Sequence, residues 1–190
     1  PAGLAAAYFL GRAGMPVTLF EKRGELGGIV RYVVPEFRVS GHAVDRDVQL
    51  VQKMGVRFVL NTEAPSVETL KAQGYDYVLM ATGAWAPGRL ALEAGSAMNV
   101  LEFLMALRQG GSIEMGENIC IVGGGNTAMD AARAAKRQNN SASVKVVYRR
   151  SRRYMPADEE ELALALEDGV EFLELLSPVS FNEGVLTCKK

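Results

Sequence analysis

Residues 119–137 read ICIVGGGNTAMDAARAAKR, and they give the strongest indication of the fold in this sequence. An apolar run meets three consecutive glycines, and an alanine-rich helical pattern follows at once. The order of strand, glycines and helix matches the dinucleotide-binding fingerprint, with Ala128 in the place of the third glycine. In that fingerprint Gly123 permits the tight turn, Gly125 leaves room for a pyrophosphate, and Ala128 lets helix and strand pack closely. A plain strand-to-helix turn is the alternative, and the alanine-rich helix behind the glycines argues against it.

A second signal follows the next predicted strand, where residues 146–156 read VVYRRSRRYMP. A unit that binds NAD usually has Asp or Glu at this point, for the ribose hydroxyls. Arg149 and Arg150 stand there instead, and a guanidinium pairs well with a phosphate. The arginines therefore favour NADP(H) over NAD(H). The alternative is a solvated basic loop paired with the acidic run 158–161.

The first residues resemble the end of a similar unit. Gly3 takes the third glycine position, a helix and a strand follow, and Glu21 stands where the ribose-binding acid belongs. The first strand and the opening glycines are absent, and an ordinary helix with a surface acid would explain these two residues equally well. Gly27 and Gly28 allow a second close approach to the backbone. Small residues that leave room for a ligand also end a predicted strand: Ala81, Thr82 and Gly83.

Strands alternate with helices along the whole chain, which predicts an α/β fold of parallel sheets in two Rossmann-like three-layer units. The stretch 85–96, WAPGRLALEAGS, interrupts the periodicity and is the predicted linker, with units at 1–92 and 93–190. Strands are predicted at 17–20, 56–60, 75–84, 118–122, 144–148 and 170–176. Helices are predicted at 1–14, 43–54, 66–74, 99–110, from 126 onward, and 157–167, with a final hairpin around 182–184.

Composition excludes several function classes. The 190 residues carry a net charge of -1, so no broad basic surface exists for nucleic acid or an anionic membrane. No apolar run reaches the roughly 18 residues of a membrane span, and we expect a soluble, cytoplasmic protein. Cys120 and Cys188 are interpreted as structural thiols rather than as metal ligands or a redox pair. His42, the single histidine, is interpreted as a surface or capping residue.

Taken together, these motifs resemble the small subunit of bacterial glutamate synthase, and nearly the whole chain takes part in the resemblance. The same module occurs in dihydropyrimidine dehydrogenase and in flavoprotein subunits assigned to selenate reductases. The stretches that carry the resemblance are PAGLAAAYFL, LFEKRGELGG, VPEFRV, ATGA, VGGGNTAMDAARAAKR and VYRRSRRYMPADEEE.

The resemblance implies an oxidoreductase of disulfide-reductase-like fold, with a partial FAD-binding unit at 1–92 and an NADPH-binding unit at 93–190. Electrons would pass from NADPH through FAD to iron-sulfur clusters in a domain or partner subunit outside this chain. The residues that would contact FAD are Gly3, Glu21, Lys22, Gly28, Ile29, Arg38, Thr82 and Gly83. Those that would contact NADPH are Gly123, Gly124, Gly125, Asn126, Thr127, Arg149 and Arg150. Because the cofactors carry the chemistry, no catalytic residue and no metal ligand is assigned.

The sequence also departs from the family pattern. The first strand of the FAD unit is missing, and the family's C-terminal Gly-Asp segment lies beyond Lys190, so we expect this chain alone to bind FAD poorly and to be inactive. One rival interpretation is a non-catalytic scaffold that keeps the dinucleotide-binding fold and binds a partner subunit through the exposed face of the first unit. Another is a methyltransferase, which also uses a glycine-rich turn and a ribose acid, although the arginine pair suits no such ligand.

Overall fold

The structure, a computed structural model, describes residues 1–86 and 88–190. These residues fall into two compact units, Pro1–Trp85 and Ala86–Lys190. The division lies inside the predicted linker 85–96, of which residue 87 is outside the described part of the chain. Both units have the expected mixed α/β architecture with parallel strands. Within the described residues, none of the helices is long and apolar enough to cross a membrane.

The first unit is built from two short parallel strands and four helices. Its elements are α1 (Ala2–Arg12), β1 (Thr18–Phe20), α2 (Ile29–Tyr32), α3 (Gly41–Lys53), β2 (Arg57–Val59) and α4 (Val67–Ala72). Leu19 of β1 stands opposite Phe58 of β2, and both pack against a core of Ala7, Val51 and Val56. The core therefore lies where α1 and α3 cover the strand pair, as the apolar spacing of these helices predicts.

Serine caps set two helix starts in this unit. Ser66 accepts a hydrogen bond from the N–H of Thr69 at 3.2 Å, as predicted for a capped α4. Ser40 accepts one from Ala43 at 3.2 Å, so α3 begins at Gly41, two residues before the predicted start at 43. A serine oxygen in this position satisfies an amide that has no partner inside the helix.

The predicted strand 75–84 is wrong, because the structure assigns no strand there. Tyr77 is 85% exposed, Leu79 66% and Met80 70%. A strand needs the backbone of a neighbour, and among the described residues the sheet of this unit contains β1 and β2 alone. The apolar run that predicted a buried strand is present, but among the described residues the pairing that would bury it is not.

The second unit follows the predicted order closely. Its elements are α5 (Val100–Arg108), β3 (Asn118–Val122), α6 (Asn126–Gln138), β4 (Ser143–Tyr148), a 3-10 turn (Arg152–Tyr154), α7 (Glu159–Glu167), β5 (Glu171–Glu174), β6 (Ser177–Asn182) and β7 (Val185–Lys189). The strand predicted at 118–122 and the start of helix α6 are confirmed residue for residue. The final hairpin is also confirmed, with Glu183 and Gly184 at positive φ between β6 and β7.

Strands β3, β4 and β5 form one parallel sheet with β4 in the middle. Val144 and Val146 of β4 are almost fully buried, as expected for the central strand of a parallel sheet. Helix α6 connects β3 to β4 and packs against α5 and α7. Its small side chains let it lie close to its neighbours, and Ala131, Ala132 and Ala135 have no exposed surface.

Candidate dinucleotide-binding sites

The glycine turn of the second unit begins at the carboxyl edge of the parallel sheet. Val122, the last residue of β3, stands opposite Val147 of β4. The N–H of Gly123 donates to the carbonyl of Val147 at 3.0 Å, so the turn starts while still attached to the neighbouring strand. Arg149 follows β4 directly. Parallel sheets bind nucleotides at this edge, because their loops and helix N-termini gather there.

The three glycines have three different surroundings. Gly123 has φ +145, and a Cβ on it would lie 3.4 Å from the Cβ of Ala128, consistent with the close helix-strand contact predicted for that alanine. A Cβ on Gly124 would lie 2.6 Å from two carbons of the Tyr148 ring. A Cβ on Gly125 would meet nothing within 4 Å. Only Gly125 therefore offers an open backbone to a ligand.

Helix α6 begins at this turn with free amides. Gly125 is its N-cap and supplies no side-chain cap, while Asn126 and Thr127 in the first turn are exposed. The first N–H groups of a helix have no partner within it, and the helix dipole favours an anion there. The helix therefore begins with exposed residues at the place where the fingerprint predicts a phosphate.

The side chain of Asn126 is already engaged. Its Nδ2 donates to Oδ2 of Asp158 at 2.9 Å, and its Oδ1 accepts from the N–H of Asp158 at 3.0 Å. The N–H of Ala157 donates to the carbonyl of Gly124 at 3.0 Å. These three bonds fasten the segment before α7 to the glycine turn. Sequence reasoning missed this role, since Asp158 was considered only as a partner for the arginines.

A cavity of about 520 Å³ opens at the ends of β3 and β4. Arg149 lines it together with Gly123 and Tyr148, whereas Arg150 is exposed and is not among its lining residues. The complete lining is Gly88, Arg89, Leu90, Ala91, Val122, Gly123, Val147, Tyr148, Arg149, Ser177 and Pro178. The structure thus brings two of the predicted residues, Gly123 and Arg149, to one cavity. The volume of this cavity suits a nucleotide.

In the first unit, Glu21 follows β1 and is held by its own loop. Its Oε1 accepts the N–H of Arg23 at 2.9 Å. The guanidinium of Arg23 lies 4.8 Å from the ring centre of Tyr32 and 4.3 Å from that of Trp85. A Cβ on Gly83 would lie 3.6 Å from Nε1 of Trp85. Arg23 therefore connects two predicted FAD residues. Its N–H binds Glu21, and its guanidinium lies close to the ring of Trp85, which adjoins Gly83.

The start of α1 meets two other predicted FAD segments. A Cβ on Gly28, which has φ +56, would lie 3.2 Å from Cδ of Pro1, and one on Gly3 would lie 3.5 Å from Cβ of Ala81. Gly27 serves packing instead, because a Cβ there would lie 2.8 Å from Cγ1 of Val44. The start of α1 thus adjoins both Gly28 and the residue before Thr82.

The remaining predicted residues have ordinary surroundings. Lys22 and Thr82 are exposed, while Ile29 and Arg38 are half-buried. His42 is exposed in the first turn of α3, where a surface residue was expected. Both cysteines are unpaired. Partial removal of water from its thiol raises the pKa of Cys120 to about 11, with a further contribution from Cys188.

The donor sets fit the two cofactors to different degrees. At the second unit, the open Gly125, the exposed start of α6 and the arginine-lined cavity match the phosphates of NADPH. At the first unit, Glu21 keeps one carboxylate oxygen outside the bond to Arg23, which suits a ribose hydroxyl.

Comparison with known families supports this interpretation. The profile of the family described as pyridine nucleotide-disulphide oxidoreductase matches residues 1–174. The chain is 44% identical to YgfK of Escherichia coli (strain K12), which carries a provisional oxidoreductase name, over 100% of this chain and 19% of that protein. It is 37% identical to the NADPH-Fe(3+) oxidoreductase subunit beta of Geobacter sulfurreducens, over 90% of this chain and 27% of the relative. It is 35% identical to the glutamate synthase [NADPH] small chain of Azospirillum brasilense, over 96% of this chain and 41% of the relative.

The chain therefore spans less than half the length of each of these curated relatives. Solved structures agree on the fold. A complex of 2-naphthoyl-CoA reductase superposes with a TM-score of 0.74 at 18% identity, covering 98% of this chain and 28% of that one. FprA from Mycobacterium tuberculosis gives 0.69 at 17% identity, covering 99% and 64%.

Proposed function

Since the chain belongs to the pyridine nucleotide-disulphide oxidoreductase family, we propose that it is an NADPH-dependent flavoprotein oxidoreductase module. It would take electrons from NADPH through FAD and deliver them to iron-sulfur clusters in another domain or in a partner subunit. The observation that carries the proposal is the pairing of an open Gly125 with an arginine-lined cavity at the same sheet edge. When both cofactors are bound, they supply the two-electron and one-electron chemistry.

The NADPH unit would hold its ligand mainly through charge and backbone amides. The N–H groups at the start of α6 would bind the pyrophosphate, with Gly125 providing the space for it. Arg149 and Arg150 would pair with the 2′-phosphate, which distinguishes NADPH from NADH. No carboxylate lines the cavity among the described residues, so nothing there would repel that phosphate.

The FAD unit would use Glu21 for the ribose and the start of α1 for the phosphates. The bond from the N–H of Arg23 orients the Glu21 carboxylate, and the stack of Arg23 between Tyr32 and Trp85 holds the loop. The small residues Gly3, Gly28 and Gly83 would let the cofactor approach the backbone. Lys22, Ile29, Arg38 and Thr82 complete the proposed contacts.

The names of the relatives support an electron-accepting partner. One relative is a subunit of an NADPH-Fe(3+) oxidoreductase and another is a small chain of glutamate synthase. Both names describe subunits of larger enzymes. We therefore place this chain, by analogy with them, in an assembly whose iron-sulfur clusters lie outside its 190 residues.

A comparison of NADPH and NADH tests the cofactor assignment. We expect the purified chain to bind NADPH at least about tenfold more tightly than NADH, because a guanidinium-phosphate pair contributes one kcal/mol or more. Replacing both Arg149 and Arg150 with Gln should sharply reduce the preference and leave NADH binding nearly unchanged. Lys71→Gln, an exposed change of the same sign in the first unit, is the control. Equal affinity of the unaltered chain for both nucleotides would contradict the assignment.

A separate measurement tests FAD retention. After incubation with excess FAD and gel filtration, we expect the isolated chain to be nearly colourless, since the sheet of its FAD unit contains two short strands among the described residues. Flavin absorbance at one FAD per chain would contradict that expectation, while leaving the NADPH assignment intact.

A further inference from the structure

The stretch predicted as a linker forms part of the wall of the NADPH cavity. Four consecutive residues, Gly88, Arg89, Leu90 and Ala91, line the same cavity as Gly123 and Arg149. A linker that only joined two units would have no reason to meet the sheet edge where nucleotides bind. This stretch therefore contributes to the site, and it brings a second guanidinium to it.

The end of this connecting stretch is hydrogen-bonded to the final hairpin. The N–H of Glu93 donates to the carbonyl of Val179 at 2.8 Å, and the N–H of Phe181 donates to the carbonyl of Ala94 at 2.9 Å. Gly95 follows with φ +79, where a Cβ would lie 1.9 Å from the carbonyl oxygen of Phe181. Only glycine fits that contact. Arg89 thus lies four residues from a segment that is hydrogen-bonded to the hairpin.

The charged residues that line the cavity are all positive among the described residues. Arg89 and Arg149 line it, and none of the other described lining residues is acidic. The structure gives Arg89 no hydrogen bond or ion pair with residues 1–86 or 88–190, and the residue is exposed. Two guanidinium groups on one cavity, without a carboxylate to neutralise them, favour a dianionic ligand such as a phosphate monoester.

The cavity also indicates which phosphate is bound. It lies at the ends of β3 and β4 and extends to Ser177 and Pro178. Gly125, Asn126 and Thr127, where the pyrophosphate is expected, do not line it. In this fold the adenosine ribose lies at the end of the second strand. The cavity is therefore on the side of the 2′-phosphate rather than of the pyrophosphate.

We propose that Arg89 binds the 2′-phosphate of NADPH together with Arg149, and so is a second determinant of nucleotide specificity. The inference rests on the proposed NADPH function and extends it to a residue in the connecting stretch. Arg89→Gln should weaken NADPH binding about tenfold, the loss expected from one charge-assisted hydrogen bond. It should leave NADH binding within about twofold, since that ligand has no 2′-phosphate. Arg89→Lys should restore part of the affinity, because the charge remains but the fork is lost.

The purified chain is titrated with NADPH, NADH and adenosine 2′,5′-bisphosphate, and calorimetry measures the affinity for each ligand. Lys71→Gln, an exposed change in the first unit, controls for the loss of one positive charge, and thermal unfolding checks that each variant is folded. Equal weakening of NADPH and NADH by Arg89→Gln would place this residue at the pyrophosphate and overturn the proposal. Unchanged NADPH affinity would overturn it while the NADPH function stands. Failure of the unaltered chain to bind either dinucleotide would overturn both.

Discussion

The ring of Tyr148 occupies the space that a side chain on Gly124 would need, with Cδ2 and Cε2 each 2.6 Å from the position of that Cβ. The Tyr148 hydroxyl donates to the carbonyl of Tyr154 at 2.8 Å, so the ring cannot move aside without breaking a bond. Gly124 is therefore required by packing, whereas its neighbour Gly125 faces open space.

This difference predicts opposite effects for two adjacent substitutions. Gly124→Ala should lower the free energy of unfolding by about 2 kcal/mol, the usual cost of overpacking a rigid site. Gly125→Ala should change stability little, because its φ of -97° suits any residue and nothing lies near its Cβ. It should nevertheless weaken NADPH binding tenfold or more, since the methyl group would separate the amides from the pyrophosphate. Chemical denaturation and nucleotide titration of both variants measure the two effects.

The reverse pattern would contradict the assignment of the glycines. If Gly125→Ala bound NADPH normally, the open backbone would not be the phosphate site. If Gly124→Ala were as stable as the unaltered chain, the Tyr148 ring would have to be free to move.

The paired bonds between Asn126 and Asp158 predict a second contrast. Asn126→Asp removes the Nδ2 donor and places two carboxylates together, so we expect a loss of about 1 to 2 kcal/mol in stability and weaker NADPH binding. Asp158→Asn keeps the bond from its own N–H to Oδ1 of Asn126 and should cost less. The measurement is urea denaturation of both variants at pH 7. A larger loss in Asp158→Asn than in Asn126→Asp would contradict this account.

An ion-pair cluster at the end of α7 predicts a pH dependence of stability. Oδ2 of Asp168 accepts from Nε of Arg133 at 2.9 Å and from Nε of Arg137 at 3.2 Å. Burial alone would raise the pKa of Asp168, but the bond and charge of Arg133, with those of Arg137, outweigh it and lower the pKa below 3.8. The stabilisation is therefore complete above the ordinary pKa and is lost as the pH falls through the lowered one.

Asp168→Asn should cost roughly 2 kcal/mol at pH 7, because the buried Arg133 then loses its ion pair with Asp168. The difference between the two proteins should shrink as the pH falls through the lowered pKa of Asp168, where the native carboxylate is protonated too. Glu167→Gln, the exposed neighbour, is the matched control. A deficit that stayed constant down to the acid transition would show that the charge of Asp168 is not what stabilises the site.

The raised pKa of Cys120 predicts low thiol reactivity. With a pKa of about 11, only about one thiol in a thousand is ionised at pH 8, and the thiolate is the reactive form. Alkylation by iodoacetamide, followed at this residue by mass spectrometry, should be far slower than that of free glutathione at pH 8. The rate should rise about tenfold for each pH unit up to 10. The residue as a whole is exposed, so the raised pKa depends on desolvation of the thiol itself, and a midpoint near that of free cysteine would contradict it.

Local pattern was sufficient for much of the fold. The cap Ser66, the strand 118–122 and the helix that begins at Asn126 could be predicted from short stretches, because their signals are neighbours in sequence. The hairpin turn at Glu183 and Gly184 was equally local. The strand predicted at 75–84 failed for the opposite reason, since a strand is completed by a partner far away in the chain.

The residues of the candidate site also fall into two groups, those that local sequence pattern predicts and those that it does not. The glycine turn, the helix start behind it and the two arginines after the next strand were recognisable from spacing alone, because a dinucleotide-binding unit encodes them in consecutive residues. The contact of Tyr148 with Gly124, the fastening of Asp158 to Asn126 and the entry of Arg89 into the cavity were not. These pairs are separated by 24, 32 and more residues, and their meeting depends on the register of the parallel strands and on the hairpin that anchors residues 93–95. Consecutive residues were therefore sufficient to indicate the class of ligand. The side chains that surround the candidate site depended on the fold, since long-range backbone pairing sets their positions.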